Sequence, residues 1–457
     1  MSLPESPNLI LFITDDHAQW ALGCYGNQEI HTPALDYLAT TGVLMRNAFT
    51  PCPVCSPARA SLLTGLYPSQ HGIHDYIDSH IEEYDQIDRL GSTPTLAALL
   101  SAQGYYVGLV GKWHCGQEGI PARGFDFWFS VGKHAMSGHH GQHDFYEGDE
   151  PAIHPDYKTD LFAEKVVEFL RTRPMDRPFF LLVAFTGTHS PWSGHPDYLA
   201  AQHETSAFAD IPADAVYPFS AMAGEATFKT RDNRRAALAQ VYAAVEHIDI
   251  AVGRILNELD TQQINQQTAL IYTADHGLNA SHHGLWGKTN STRPPNMLEE
   301  SIRVPLILRW PGQFVAGQQR AEMVDHTDLF ETILALVGVT FARDHDYVGR
   351  SFLPLLRGGY VREWKRRQII EYMTTRMIRD ERFKLVTRLT DDPPLFIDLQ
   401  ADPRETVNRM DAPEHQSQIT ALRGELDSFF VRLLPESNGW LDVAALSPHN
   451  RVEWWRG

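Results

Sequence analysis

Two adjacent aspartates (Asp15-Asp16), an acid-imidazole pair (Asp275-His276) and the segment Cys52-Pro53-Val54-Cys55-Ser56-Pro57-Ala58-Arg59 are where residue type and spacing in this sequence could do chemistry. Asp15, Asp16 and Asp275 offer hard oxygen ligands, and with His276 they could hold a Ca²⁺-, Mg²⁺- or Mn²⁺-like ion. An aspartate after a strand also serves as a helix cap or turn former, so no single one of them carries the point. The adjacent pair is stronger, because neighbouring carboxylates repel unless a cation or hydrogen bonds compensate. In the cysteine segment Ser56 suits an N-cap and Pro57 a first helical position, which predicts Cys55 just ahead of a helix N-terminus and Arg59 in its first turn. Free amides, the helix dipole and a guanidinium fork would together favour a tetrahedral oxyanion there. Cys52 and Cys55 also form a C-x-x-C pair. Zinc would want a second such pair, which Cys24 and Cys115 do not supply, and nothing around Pro53-Val54 resembles a thioredoxin-like surround.

The elements that must position these residues can be read from hydrophobic pattern. Short apolar runs at Asn8–Thr14, Tyr105–Val110, Phe179–Thr186 and Thr268–Thr273 are predicted to be buried parallel strands. Thr32-Pro33 opens a helix that stops at Gly42, and Thr93-Pro94 opens one that stops at Gly104. The clearest helix is Arg234–Leu259, where Val241, Val245, Ile248, Val252, Ile255 and Leu259 form one apolar stripe. Strands alternating with helices imply a doubly wound α/β sheet, whose ligands bind beyond the carboxyl ends of the strands. There the sequence puts Asp15 and Asp16, then Lys112 and His114, then His189, then Asp275 and His276, one group per predicted strand end. After about residue 360, strand-like runs at Gln368–Met373, Met377–Arg379, Phe383–Arg388 and Leu395–Leu399 precede an amphipathic helix over His415–Leu434. The expected organisation is therefore a catalytic α/β domain over 1–360 and an α+β subdomain on an antiparallel sheet over 361–457. Residues 134–158 and 187–230 are polar and punctuated by Pro and Gly, so they are predicted to be long loops.

Composition narrows the partners. The chain has 39 basic and 57 acidic residues, a formal charge of −18. That balance argues against a nucleic-acid backbone or an anionic membrane as partner, and an anionic substrate must then meet a local positive pocket. No stretch approaches the roughly 20 apolar residues of a membrane span. Four cysteines are too few for a disulfide scaffold. The opening residues lack a signal-peptide pattern, so the cytoplasm is expected; a leader removed beforehand would point to the periplasm or the exterior instead.

Cys55-Ser56-Pro57-Ala58-Arg59, continued by Ala60-Ser61-Leu62-Leu63-Thr64-Gly65, resembles the Cys-x-Pro-x-Arg signature of the sulfatase family. The resemblance continues through Asp15-Asp16, Gly111-Lys112-Trp113-His114, His189 before Pro191, Asp275-His276-Gly277, Gly287-Lys288, Glu300-Ser301-Ile302-Arg303-Val304-Pro305 and, near the C-terminus, Leu395-Phe396-Ile397-Asp398-Leu399 with Asp402-Pro403. It implies an alkaline-phosphatase-like fold and hydrolysis of organic sulfate esters, of a small molecule or a carbohydrate. A maturation enzyme would oxidise Cys55 to formylglycine. Asp15, Asp16, Asp275 and His276, joined by residue 55, would bind one divalent metal, Ca²⁺ by preference, with Mn²⁺ or Mg²⁺ as alternatives. Arg59 would hold the hydrated aldehyde, Lys112 and Lys288 would stabilise sulfate charge, His189 would protonate the leaving oxygen and His114 would take a proton from residue 55. Many sulfatases have Asp-Asn where this chain has Asp275-His276. Asp-His also occurs in some sulfatases and in phosphonate or phosphate ester hydrolases of the same superfamily, which keeps that reaction open beside sulfate hydrolysis. A non-catalytic anion- or glycan-binding protein is the reading from another class, and the oligomeric state is open. Among 22 histidines, His134, His139, His140 and His143 are predicted to be a loop rather than a metal cluster, and His247 to be structural. His282, His283, Trp286, Trp192 and Trp128 are candidates for lining the pocket or for core.

Overall fold

The computed structural model describes residues 6–132, 139, 143–212, 220–221, 233–437, 439 and 449. Ten strands form one mixed sheet: β1 (Asn8–Thr14), β2 (Val43–Phe49), β3 (Tyr106–Gly111), β4 (Phe127–Val131), β5 (His143–Glu147), β6 (Glu150–His154), β7 (Phe179–Ala184), β8 (Thr268–Ala274), β9 (Leu306–Arg309) and β10 (Gln318–Asp325). Their spatial order is β10-β2-β9-β8-β1-β7-β3-β4-β5-β6. β1 runs parallel to both neighbours, β7 and β8, while β9 is antiparallel to β8 and β2.

The central strands are continuous apolar runs because both faces are covered. Ile10 and Phe12 of β1 enter one core, and Leu9, Leu11 and Ile13 the other. The first core is closed by the helix Arg234–Thr261, whose Val241, Val245, Ile248, Val252, Ile255 and Leu259 all pack into it. The second is closed by the helices Cys55–Thr64 and His326–Val337, through Leu62, Leu63, Leu329 and Phe330.

A second sheet, β11 (Gln368–Tyr372), β12 (Thr375–Arg379), β13 (Phe383–Arg388) and β14 (Leu395–Asp398), is an antiparallel meander. Its Ile369, Ile378, Leu385 and Phe396 face the helix Gln416–Leu433. Ile370, Tyr372, Met377 and Val386 instead share a core with Phe49, Cys52, Val54 and Ile302. The small sheet thus braces the strand β2 and the loop leading into Cys55. No helix among the described residues is long and apolar enough to cross a membrane.

Several expectations need correction. The segment predicted as a loop over 134–158 contains the hairpin β5–β6 and the start of the helix Lys158–Thr172, so His143 lies on a strand; His134 and His140 fall outside the described residues. The segment 187–230 holds a short helix at Asp197–Ala200, and part of it is likewise outside the description. The helix expected to open at Thr93-Pro94 runs over Leu96–Ala102, and its cap is Thr95, whose Oγ1 accepts from Ala98 N at 3.2 Å.

Candidate active site

The sheet's carboxyl edge gathers the predicted residues. Asp15 follows β1, Lys112 follows β3, and Asp275 follows β8. Backbone bonds past the strand ends keep them in register: Asp275 N donates to Thr14 O at 2.9 Å, Asp15 N to Gly187 O at 2.9 Å, and Lys112 N to Ala184 O at 2.8 Å. Gly111 lets β3 turn into Lys112, with φ of +112° and no room for a side chain, since a Cβ there would lie 2.0 Å from Ala184 O.

Cys55 is the first residue of the helix Cys55–Thr64, which starts two positions earlier than predicted. Ser56 is not its cap: the Ser56 hydroxyl accepts from Ile77 N at 3.0 Å instead. Arg59 is the fifth residue of the helix and lies just past its first turn, not within it as expected. Its Nε donates to Asp275 Oδ2 at 3.0 Å and its Nη1 to the Lys112 carbonyl at 2.7 Å. Nη2 also sits 3.0 Å from Asp275 Oδ2, yet it has no hydrogen-bond partner. One buried N–H is therefore left for an added oxygen.

Around Cys55 Sγ stand Lys288 Nζ at 2.8 Å, Asp15 Oδ1 at 3.3 Å and His276 Nε2 at 3.4 Å. The two adjacent acids are neutralised separately, Asp15 by Lys112 Nζ at 2.5 Å and Asp16 by Lys288 Nζ at 2.6 Å. His276 Nε2 faces Asp16 Oδ1 at 3.3 Å and Asp275 Oδ1 at 3.4 Å. Its Nδ1 is 3.0 Å from the Gly277 carbonyl. A carbonyl only accepts, so the proton sits on Nδ1 and Nε2 presents its lone pair to the carboxylates, as a metal-ligating imidazole does. Ligand atoms of Asp15, Cys55, Asp275 and His276 all lie within 4.8 Å of one another, and so do those of Asp15, Asp16, Cys55 and His189. The two groups overlap at Asp15 and Cys55, and the carboxylates and oriented imidazole that they hold fit a hard divalent cation.

Burial is the largest single influence on the cup, but the facing charges together reverse it for Asp15 and Lys288. It alone would raise Asp15, but Lys112, His189, Lys288 and Arg59 outweigh it and hold the carboxyl well below the usual range. It would strip Lys288 of its proton, but Asp16, with Cys55, Asp15 and Asp275, pushes that pKa well above the ordinary lysine value. Burial, then Asp15, pushes the Cys55 thiol up to about 12.

His114 Nε2 lies 2.9 Å from the Ile77 carbonyl, so Nε2 carries the proton. Nδ1 is buried without a partner. His189 is half-buried, with Nδ1 2.8 Å from the Ser190 carbonyl. Of the other candidates, Trp128 is core, donating to the Glu118 carbonyl at 3.1 Å, and Trp192 packs on Trp286 with ring centroids 5.0 Å apart. His247 is structural, bonded to Asp160 at 2.8 Å and stacked on Tyr157. His283 pairs with Glu300 at 3.2 Å. Sequence reasoning did not single out Asn279 and Asn296, which are buried behind Lys288; isolated asparagines between motifs carry no spacing signal.

The sulfatase family model matches residues 7–339, and a model of the N-sulphoglucosamine sulphohydrolase C-terminal region matches residues 283–431. The chain belongs to the sulfatase family, enzymes that hydrolyse sulfate esters. It is 26% identical to an N-acetylglucosamine-6-O-sulfatase of Bacteroides thetaiotaomicron, over 88% of this chain and 82% of the relative. In fold it is similar to a protein solved in complex with D-glucosamine-2-N,6-O-disulfate, with a TM-score of 0.78 and 23% identity over 95% of this chain and 99% of the other. It is similar in fold also to the phosphonate monoester hydrolase of Agrobacterium radiobacter, with a TM-score of 0.71 and 22% identity over 92% and 95% of the two chains.

Proposed function

We propose that this chain removes sulfate from sulfated carbohydrates, using a divalent cation and a formylglycine made from Cys55 by a maturation enzyme. The observation that carries the reading is the single buried cup in which three carboxylates, an imidazole, two ammonium groups and a guanidinium surround residue 55. Asp15, Asp16, Asp275 and His276 would hold the cation, with Ca²⁺ favoured by the oxygen-rich set and Mn²⁺ or Mg²⁺ as alternatives. When bound, the cation offsets sulfate charge and favours an ionised oxygen at residue 55, and the hydrated aldehyde supplies that oxygen. The unmodified thiol would be a poor nucleophile, because at neutral pH a group pushed up to about 12 stays protonated.

The chain's own groups divide the remaining work. Arg59 Nη2, buried and ion-paired with Asp275 but making no hydrogen bond, orients the oxygen on residue 55. Lys112 Nζ and Lys288 Nζ stabilise the charge that grows on the sulfate and its leaving oxygen. His189, its Nδ1–H anchored on the Ser190 carbonyl, donates a proton from Nε2 to the departing oxygen when the ring carries a proton on both nitrogens. His114 Nδ1 accepts a proton from residue 55, with Nε2–H anchored on Ile77.

The sugar assignment rests on the relatives, an N-acetylglucosamine-6-O-sulfatase among them. We treat 1–360 as the catalytic domain and 361–457 as a second domain, and we assign the protein to the cytoplasm, in keeping with four cysteines that are all free. The test is turnover of a panel of sulfated monosaccharides by matured protein, with the mass of the peptide containing residue 55 measured on the same sample. Release of inorganic sulfate by a converted sample supports the reading; a fully converted, metal-loaded sample inert on every sulfate would overturn it. The pair Asp275-His276 favours one second reading, a phosphonate or phosphodiester hydrolase, and faster turnover of an aryl phosphonate than of the matching aryl sulfate would select it.

A further inference from the structure

Behind Lys288 runs a buried chain of polar side chains that the roles above do not use. Asn279, Asn296 and Ser301 are each fully buried. Asn296 Nδ2 donates to the Lys288 carbonyl at 3.0 Å, with longer contacts to the Thr289 carbonyl at 3.3 Å and Thr292 Oγ1 at 3.2 Å. Its Oδ1 accepts from Ser301 Oγ at 2.8 Å. Ser301 Oγ accepts in turn from Asn279 Nδ2 at 2.8 Å, which also donates to the Gly287 carbonyl at 3.2 Å. The chain ends on the metal-binding loop, where Gly277 N donates to the Ser301 carbonyl at 2.9 Å and the Gly277 carbonyl holds His276 Nδ1. Donors and acceptors alternate consistently along the whole path, and only an amide offers two N–H groups and an accepting oxygen at one position.

The carbonyls held in this way belong to Gly287, Lys288 and Thr289, the backbone that carries the sulfate-facing ammonium. Regular structure there is slight: the two-residue pairing of Asn279–Ala280 with Trp286–Gly287, then a single turn of 3₁₀ helix at Thr289–Ser291. Lys288 Nζ must nevertheless arrive 2.6 Å from Asp16 and 2.8 Å from Cys55. At such a site a drift of about 1 Å can cost about 10²-fold in rate.

We propose that Asn296 is a positioning residue: it fixes the Lys288 backbone and, through Ser301, ties it to the loop of Asp275 and His276, so that ammonium and cation ligands keep one spacing. This rests on the reading of Lys288 as a charge-stabilising group. The test is a double-mutant cycle on matured, calcium-loaded full chain with Asn296→Ala, Lys288→Ala and the pair. Three quantities are read: kcat and KM on 4-nitrophenyl sulfate, melting temperature, and calcium affinity. Asn296→Ala should lower kcat by about 10- to 100-fold, the scale of outer-shell partners, with a smaller change in KM and calcium affinity retained. In the Lys288→Ala background it should cause no further loss. Asn296→Asp keeps the acceptor for Ser301 but loses the donor to Lys288; it should behave alike and takes the place of the alanine variant if that one fails to fold. An equal fold-loss in both backgrounds, or an unchanged kcat, would overturn the proposal. Full activity of Lys288→Ala would instead remove the reading of Lys288, so the two failures are distinguishable.

Discussion

Lys288 is the residue whose loss separates chemistry from scaffold. Its ammonium touches both Asp16 and Cys55 and is buried with them. Lys288→Ala should lower kcat by about 10²–10³-fold, the scale for one preorganised charge-stabilising donor; an unchanged kcat on an aryl sulfate would take Lys288 out of the cup. Cys55→Ala should behave differently, abolishing turnover while leaving the melting temperature and calcium binding close to those of the parent, because the surrounding charges still pair with one another. Retained activity in that variant, checked by sulfate release, would end the assignment of residue 55 as nucleophile. At this scale the sequence was legible in which residues gather: Asp15, Asp16, Cys55, Arg59, Lys112, Asp275 and His276 were named from type and order and Lys288 from the family resemblance, and all of them line one cup. What could not be read were pairings made in three dimensions. Nothing along the chain says that Lys112 neutralises Asp15 while Lys288 neutralises Asp16, or that His114 protonates on Nε2 because Ile77 presents a carbonyl there.

Elements show the same division between local and long-range signals. The helix Pro33–Thr41 starts after Thr32 as predicted, but Thr32 makes no cap with its side chain. The cap comes from Asp249 on the helix Arg234–Thr261, whose carboxylate accepts from Ala34 N at 3.1 Å and Leu35 N at 2.7 Å. A partner more than 200 residues away is invisible to any local rule. Asp249→Ala strands those two N–H groups under a packed helix, so unfolding by urea should reveal a loss of about 1–3 kcal/mol. Burial pushes the Asp249 carboxyl up to about 7 against the pull of those donors. The folded chain then keeps a proton that the unfolded chain, with a value near 3.8, gives up. The contribution of this group is full below that value and fades as pH rises to about 7, and the variant should flatten that part of the stability curve. An unchanged curve would mean that the carboxylate stays ionised on its two amides. The central strands β1, β3, β7 and β8 were legible because burial on both faces makes them apolar throughout. β2, with its exposed Arg46, β5 and the edge strands β6 and β10 were not, since a partly exposed face breaks the run with polar residues.

The whole molecule carries a charge of −18 and yet builds a cup in which three ammonium or guanidinium groups balance three carboxylates, from side chains that are almost wholly enclosed. The same enclosure governs how residue 55 can be changed. All ten residues of the helix Cys55–Thr64 are buried, Cys55 at 3% exposure and Ser56 at none. The small C-terminal sheet packs against Cys52 and Val54 just ahead of it. On the proposed reading, an enzyme that oxidised Cys55 would have to reach its thiol, and the folded chain encloses it. Releasing the helix would break into the core shared by both sheets, so conversion on the native protein would need an opening close in cost to global unfolding. Conversion, on that reading, would have to precede completion of the fold. Unmodified protein, purified folded and then exposed to a formylglycine-generating enzyme, should keep its thiol; the same chain presented unfolded, or as a peptide spanning residues 52–65, should convert. Peptide mass spectrometry reads the difference directly, because the aldehyde form is lighter than the thiol. Rapid and complete conversion of the folded protein would mean that this helix detaches without the rest of the molecule, and the close packing around Cys55 would then be no barrier to its maturation.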